Sequence, residues 1–247
     1  MAILESSFCF ATPSTHIWAP STDIQPFGIF HITGDMYLPT EMDSAGNRPN
    51  TITDEGLTVG LLPFEKFNVE AGFDYKTGFG ALDNYPMYFN AKAGMPENTF
   101  NKFFPALAVG IYDIGTKGER TNFNIVYGKI AKTFNAGSFN LGRLSAGYFY
   151  GNDQLLLNED GEKDNNGFFG AWERTITEIS DKLWLCIEYQ GTKSVYGCWN
   201  VGGSWKFTDT VSMLVGFERY NDHSLADTVT LQFDIDFDVF GKTSSKT

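Results

Sequence analysis

Three histidines, His16, His31 and His223, are the only imidazoles in the 247-residue chain, so any general base or imidazole metal ligand must come from them. Asn221-Asp222-His223-Ser224 places an acid, a base and a hydroxyl side by side. A nucleophilic hydrolase needs these groups converging in space, with the base in reach of the hydroxyl. Four consecutive residues in a polar stretch read better as a loop. No His or Cys cluster has zinc-ligand spacing, and no glycine loop of the phosphate-cradling kind occurs. Residues 158–164 (NEDGEKD) offer oxygens to calcium but lack the regular alternation and closing glutamate of an EF-hand loop. They read as a solvated acidic loop. The sequence therefore predicts no catalytic residues, no metal and no cofactor, and ranks a lipase or esterase behind two non-enzymatic readings.

Polar residues placed at every second position carry more information. In 67–76, Phe67, Val69, Ala71, Phe73 and Tyr75 alternate with Asn68, Glu70, Gly72, Asp74 and Lys76. In 228–238, Val229, Leu231, Phe233, Ile235 and Phe237 alternate with Thr230, Gln232, Asp234, Asp236 and Asp238. Period-two alternation marks a strand with one apolar and one polar face. The same pattern recurs near 26–38, 51–62, 85–94, 105–113, 121–132, 141–151, 167–176, 183–191, 195–207 and 211–220. Most of these segments are as long as a tilted strand needs to cross a bilayer, about 9–11 residues. Strands of soluble proteins are typically about 5–6. No run approaches the roughly 18–20 apolar residues of a membrane helix.

These segments predict an all-β fold: a closed, antiparallel, up-and-down transmembrane β-barrel of about twelve strands. Links at 63–66, 177–182 and 208–210 are tight, whereas 39–50, 76–84, 113–120 and 152–166 are longer and polar, as expected of periplasmic turns and external loops. The expected division is a leader remnant or disordered N-terminus at 1–11, a periplasmic segment at 12–25, the barrel at 26–238 and a tail at 239–247. Tyr37, Tyr75, Tyr148, Tyr150, Tyr189, Trp205 and Phe207 fall near strand ends, where an interfacial aromatic girdle belongs.

Alternation assigns the lumen His31, Asp35, Glu70, Asp74, Lys92, Arg143, Arg174, Glu188, Lys206, Glu218, Asp234 and Asp236. Twelve strands fall between the eight that leave room only for side chains and the sixteen that leave an aqueous channel. These charges either neutralise one another or bias which ions enter. Cys186 and Cys198 fall on the inward set. If the hairpin between them is centred near Thr192 they face each other as a candidate disulfide; otherwise they are two small buried residues.

With 30 acidic and 18 basic residues, the net charge of −12 excludes a nucleic-acid partner, which needs a basic footprint. Outer-membrane lipid is the expected partner, together with small polar solutes or glycan. The oligomeric state is unknown. Residues 104–115 (FPALAVGIYDIG), followed by Val126-Tyr127-Gly128-Lys129, resemble a hairpin of YjbH-type outer-membrane proteins associated with exopolysaccharide. Residues 167–174 (GFFGAWER) are similar to the same group, and 18–25 (WAPSTDIQ) resemble uncharacterised outer-membrane barrels. The resemblance implies membrane placement and, for function, an accessory barrel of an envelope polysaccharide system. It supplies no catalytic residues. The residues themselves favour a narrow pore for small polar solutes or ions over that alternative. A soluble ligand-binding barrel is a further reading.

Overall fold

The computed structural model describes residues 14–42 and 46–239. The leader proposed at 1–11 and nearly all of the tail proposed at 239–247 lie outside the described residues. Twelve strands follow in chain order: β1 (Ile29–Pro39), β2 (Ile52–Gly60), β3 (Asn68–Thr77), β4 (Met87–Met95), β5 (Ala106–Gly115), β6 (Asn122–Ala136), β7 (Phe139–Tyr150), β8 (Asn166–Thr175), β9 (Leu183–Gln190), β10 (Cys198–Lys206), β11 (Val211–Tyr220) and β12 (Thr228–Asp238). One 3-10 turn, Gly80–Asn84, is the helical element among the described residues. Every strand pairs antiparallel with its chain neighbours, and β1 closes on β12 from Ile29↔Asp238 to Pro39↔Thr228. Closure leaves no unpaired edge, the condition for β-structure in hydrocarbon.

On β12 the predicted alternation is the observed one. Thr228, Thr230, Gln232 and Asp234 are buried, while Phe233, Ile235 and Phe237 are exposed. Around the outside, Ile32, Phe73, Val109, Val126, Ile130, Leu144, Phe168, Ile187, Val201 and Val215 are likewise exposed. An apolar surface encircling the molecule would drive aggregation in water and suits lipid.

Two ends are distinguished by their links. At the near end, where β1 begins and β12 finishes, the links are 61–67, 96–105, 137–138, 176–182 and 207–210. At the far end they are 40–51, 78–86, 116–121, 151–165, 191–197 and 221–227. The tightest, 137–138, uses Gly137 at φ 65, a left-handed conformation that a hairpin turn requires and glycine adopts without steric cost.

Three expectations are corrected. Residues 14–25 were expected below the barrel in the periplasm; their contacts lie inside the lumen. They form a short hairpin, with Thr15 bridged to Pro20 and the His16 amide donating to Ala19 O at 2.9 Å. Gly60 makes the entry: a Cβ there would sit 2.0 Å from the carbonyl oxygen of Pro26. Second, Tyr37, expected in the girdle, is buried inside, edge-on to Trp18 with ring centroids 5.0 Å apart. It shares parity with His31 and Asp35, so the pleat turns it inward. Third, Cys186 and Cys198 do not face each other. Cys186 stands opposite Gly202 and Cys198 opposite Gln190, because the β9–β10 turn is centred on Ser194 rather than Thr192. Both thiols are free and buried.

Candidate functional site: a polar lumen threaded by a hairpin

The hairpin is anchored by charged groups from many strands. Glu188 on β9 is buried, and its carboxylate accepts the amides of Trp18 (2.7 Å), Ala19 (3.2 Å) and Ile17 (3.4 Å), as well as Asn200 Nδ2 (2.6 Å). Glu70 on β3 accepts the Gln25 amide at 2.6 Å and the Ser14 hydroxyl at 3.0 Å, and pairs with Lys92 of β4 at 3.1 Å. Lys92 also donates to Ser14 O, Lys129 of β6 to Pro20 O at 2.7 Å, and Gln232 of β12 to Ile17 O at 2.7 Å. Arg143 on β7 forks between Asp23 of the hairpin and Glu173 of β8. His16 lies 3.1 Å from Glu173 and 3.2 Å from Lys129. Turn amides that would otherwise be orphaned in a closed interior are thus satisfied by carboxylates, the stronger class of hydrogen bond.

Beside the hairpin the lumen divides in two. Toward β5–β9 it is filled by Ile125, Tyr127, Phe149, Leu156, Phe169 and Tyr196, with Trp18, Tyr112 and Phe123 packed against them. Leu156 and Tyr196 come from far-end links, so the loops fold in to complete this cap. Toward β1–β5 a cavity of about 120 Å³ remains. That is room for several waters.

Carboxylates line that cavity. Asp35 accepts the Thr33 hydroxyl at 2.6 Å, and Asp74 accepts Asn90 Nδ2 at 2.9 Å. Lys76 stands between Asp54 (3.2 Å) and Asp113 (2.7 Å), with its ammonium 5.4 Å from the centre of the Tyr88 ring. Asp113 also accepts the Tyr196 hydroxyl. Its φ is 54°, and the β5–β6 register shifts between Tyr112 and Ile114; this bulge delivers both Tyr112 and Asp113 to the cavity. Lower down, His31 lies 2.8 Å from Asp236 and 3.4 Å from Asp234.

Eleven of the twelve residues assigned to the lumen by alternation stand on inward positions. His31, Asp35, Glu70, Asp74, Lys92, Arg143, Glu188, Asp234 and Asp236 take part in the contacts above. Glu218 is fully buried and accepts Thr228 Oγ1 at 2.8 Å, away from the cavity. Lys206 sits at the near rim, 3.4 Å from Asp209. Arg174 is the exception. It stands opposite the exposed Leu185, on the outward set, paired with Glu178 and lying over the Phe139 ring. The inward residue at that step is Glu173, opposite Arg143 and Cys186. The lumen assignment left out Asp54, Asp113, Lys129 and Glu173, and also Lys76, although the alternation had put it on the polar face of its strand. All but Asp113 were available from parity; Asp113 depends on the bulge.

No catalytic triad assembles among the described residues. Ser212 donates to Asp234 at 3.1 Å and Ser224 to Asp222 at 2.6 Å, so each hydroxyl bonds a carboxylate rather than an imidazole. His223 is exposed.

No family model and no curated protein matches this sequence. Solved structures do match. The chain is similar to the COG4313 outer membrane channel from Pseudomonas putida F1, at 11% identity over 88% of this chain and 98% of that one, with a TM-score of 0.50. It is also similar to the KdgM porin, at 11% identity over 85% and 99%, TM-score 0.53. The KdgM porin in complex with disordered oligogalacturonate aligns at 9% identity over 85% and 98%, TM-score 0.52. The shared fold is that of outer-membrane channels. At these identities the likeness extends to the fold alone, and the lumen must be read from its own residues.

Proposed function

We propose that this chain is a narrow outer-membrane channel for small cations and small polar solutes, closed in the state described by its own hairpin. The near end is then periplasmic and the far end external. The observation that carries the reading is the β1–β5 wall, where five carboxylates, those of Asp35, Asp54, Glu70, Asp74 and Asp113, line the cavity against two ammoniums, those of Lys76 and Lys92. Carboxylates lining a low-dielectric passage attract cations and repel anions. A polyanion such as the oligogalacturonate held by the KdgM porin would meet repulsion here, so a different cargo follows from the charge. Residues 14–25 fill the middle of the passage, and conduction requires them to move aside.

Planar-bilayer recording of the refolded protein under a potassium chloride gradient tests this. Cation-selective openings are expected, becoming more frequent when the hairpin anchors are weakened. Absence of conductance at any voltage, in both the native chain and a hairpin-weakened variant, would remove it. The density of anchors favours a second reading, a non-conducting accessory barrel of an envelope polysaccharide system that works through its external loops. That reading predicts glycan binding without conductance.

A further inference from the structure

At the far ends of β9, β10 and β11, the outer wall carries a recess that the lumen does not account for. It has a volume of about 710 Å³ and is open to one side. Tyr189 and Trp199 form its floor, with ring centroids 4.3 Å apart. Arg219, Lys193, His223 and Asn221 stand around it. Asp164 also borders it, with one oxygen accepting the Lys193 amide at 2.6 Å.

The depth of this recess in a membrane follows from the ladder. Tyr189, Trp199 and Arg219 are directly opposite one another and all on the outward set. One step down, two residues along each strand and about 6.6 Å lower, the outward row is Ile187, Val201 and Phe217, all exposed. Below that come Leu185 and Val215. The aromatic–arginine row therefore sits at the upper margin of the apolar band, where headgroups begin.

The charge is also specific. Among the described strand residues, Arg219 is the one cation on the outward set of the far half. Its outward counterparts at the near end are both neutralised, Lys132 by Glu97 at 2.8 Å and Arg174 by Glu178. Arg219 and Lys193 form no ion pair among the described residues. On a chain of net charge −12, two unneutralised cations at the lipid margin invite an anion.

We propose that this recess binds the phosphate of an outer-leaflet lipid. The acyl chains lie along Ile187, Val201 and Phe217, the Tyr189–Trp199 pair supports the headgroup, and the phosphate sits between Arg219 and Lys193. The guanidinium fork matches phosphate geometry. His223 borders the rim, while Asn221 holds the loop below it by giving both Nδ2 hydrogens to Gln190 O and Thr192 O at 2.8 Å. This inference rests on the membrane placement and orientation given above.

Native mass spectrometry of the detergent-released barrel is the test, with bis-phosphorylated lipid A as probe and the same lipid stripped of its phosphates as control. The native chain is expected to retain the phosphorylated lipid roughly tenfold more strongly, and an Arg219→Gln, Lys193→Gln double variant to lose that preference. Both substitutions lie on the exposed wall, so heat-modifiable migration on a gel, the mark of a folded barrel, should be unchanged. Equal retention of the two lipids by the native chain, or a preference that survives in the double variant, overturns the lipid site and leaves the channel reading standing. A native chain that lacks heat-modifiable migration overturns both.

Discussion

Replacing Glu188 with glutamine should loosen the hairpin without disturbing the barrel. The Glu188 carboxylate faces three hairpin amides and Asn200 Nδ2, so every partner is a donor. Glutamine keeps one carbonyl acceptor but turns an amide NH₂ toward groups that have nothing to accept it. A hydrogen bond to a charged group contributes about 1.5–3 kcal/mol, and an unsatisfied buried donor costs about 1–3 kcal/mol. Asn200 Nδ2 and the Trp18 amide both bond Oε1 and are kept by the remaining oxygen. The loss is therefore the two longer Oε2 contacts, from Ile17 (3.4 Å) and Ala19 (3.3 Å), plus the unsatisfied NH₂ facing them, about 2 kcal/mol. That is roughly a 30-fold shift toward the released state. Hydrogen exchange read by mass spectrometry measures this directly, because amides in a locally opening segment exchange in proportion to its open population. Amides of residues 16–19 should exchange roughly 30-fold faster in Glu188→Gln, while those of β2, β3 and β12 keep their rates. Identical protection in the two chains would refute the anchoring argument, as would hairpin amides already unprotected in the native protein.

Other consequences can be checked separately. Lys76→Met strands Asp54 and Asp113 beside each other without their cation, a change that costs about 3–5 kcal/mol in buried pairs; the urea midpoint should fall while the reversal potential moves further toward cation selectivity. Gly60→Ala places a methyl against the Pro26 and Gln25 carbonyls and should lower refolding yield, judged by the heat-modifiable fraction, whereas Gly34→Ala, with nothing within 4 Å, should not. Mass spectrometry after alkylation of the denatured, unreduced protein should find Cys186 and Cys198 each carrying a label. Burial opposes the charge of Glu97, but the Lys132 ammonium and the Thr133 hydroxyl and amide outweigh it and hold this carboxyl below its usual range. Its folded value is depressed, so its contribution is complete above the unfolded value of about 4.3 and is lost as pH falls through the folded one. The protection of residues 96–105 against exchange, relative to the intrinsic rate at each pH, should therefore fall below about pH 4.3, and Glu97→Gln should remove that dependence.

The strands were legible because a pleated chain that is apolar outside and polar inside writes period two into its residues, as β3 and β12 do without interruption. The hairpin was not, because a segment held by carboxylates from distant strands needs no periodicity of its own. Ile17, Trp18 and Ile24, large apolar residues in a stretch with no strand alternation, were the available hint. Arg174 was misplaced for a related reason: parity must be counted from a fixed point, and a one-residue slip on β8 exchanged it for Glu173. The cysteine register failed because turn centres follow loop geometry, which strand patterning does not encode. Asp113 depended on a bulge, and a single residue in a left-handed conformation leaves little trace in composition.

The hairpin touches β3, β4, β6, β7, β8, β9 and β12, walls that face one another across the barrel. Those contacts work as spokes. An empty cylinder of twelve strands could flatten into an ellipse at small cost in strand pairing. One braced from within by Glu70, Arg143, Glu188 and Gln232 has its cross-section set by the span of a dozen residues.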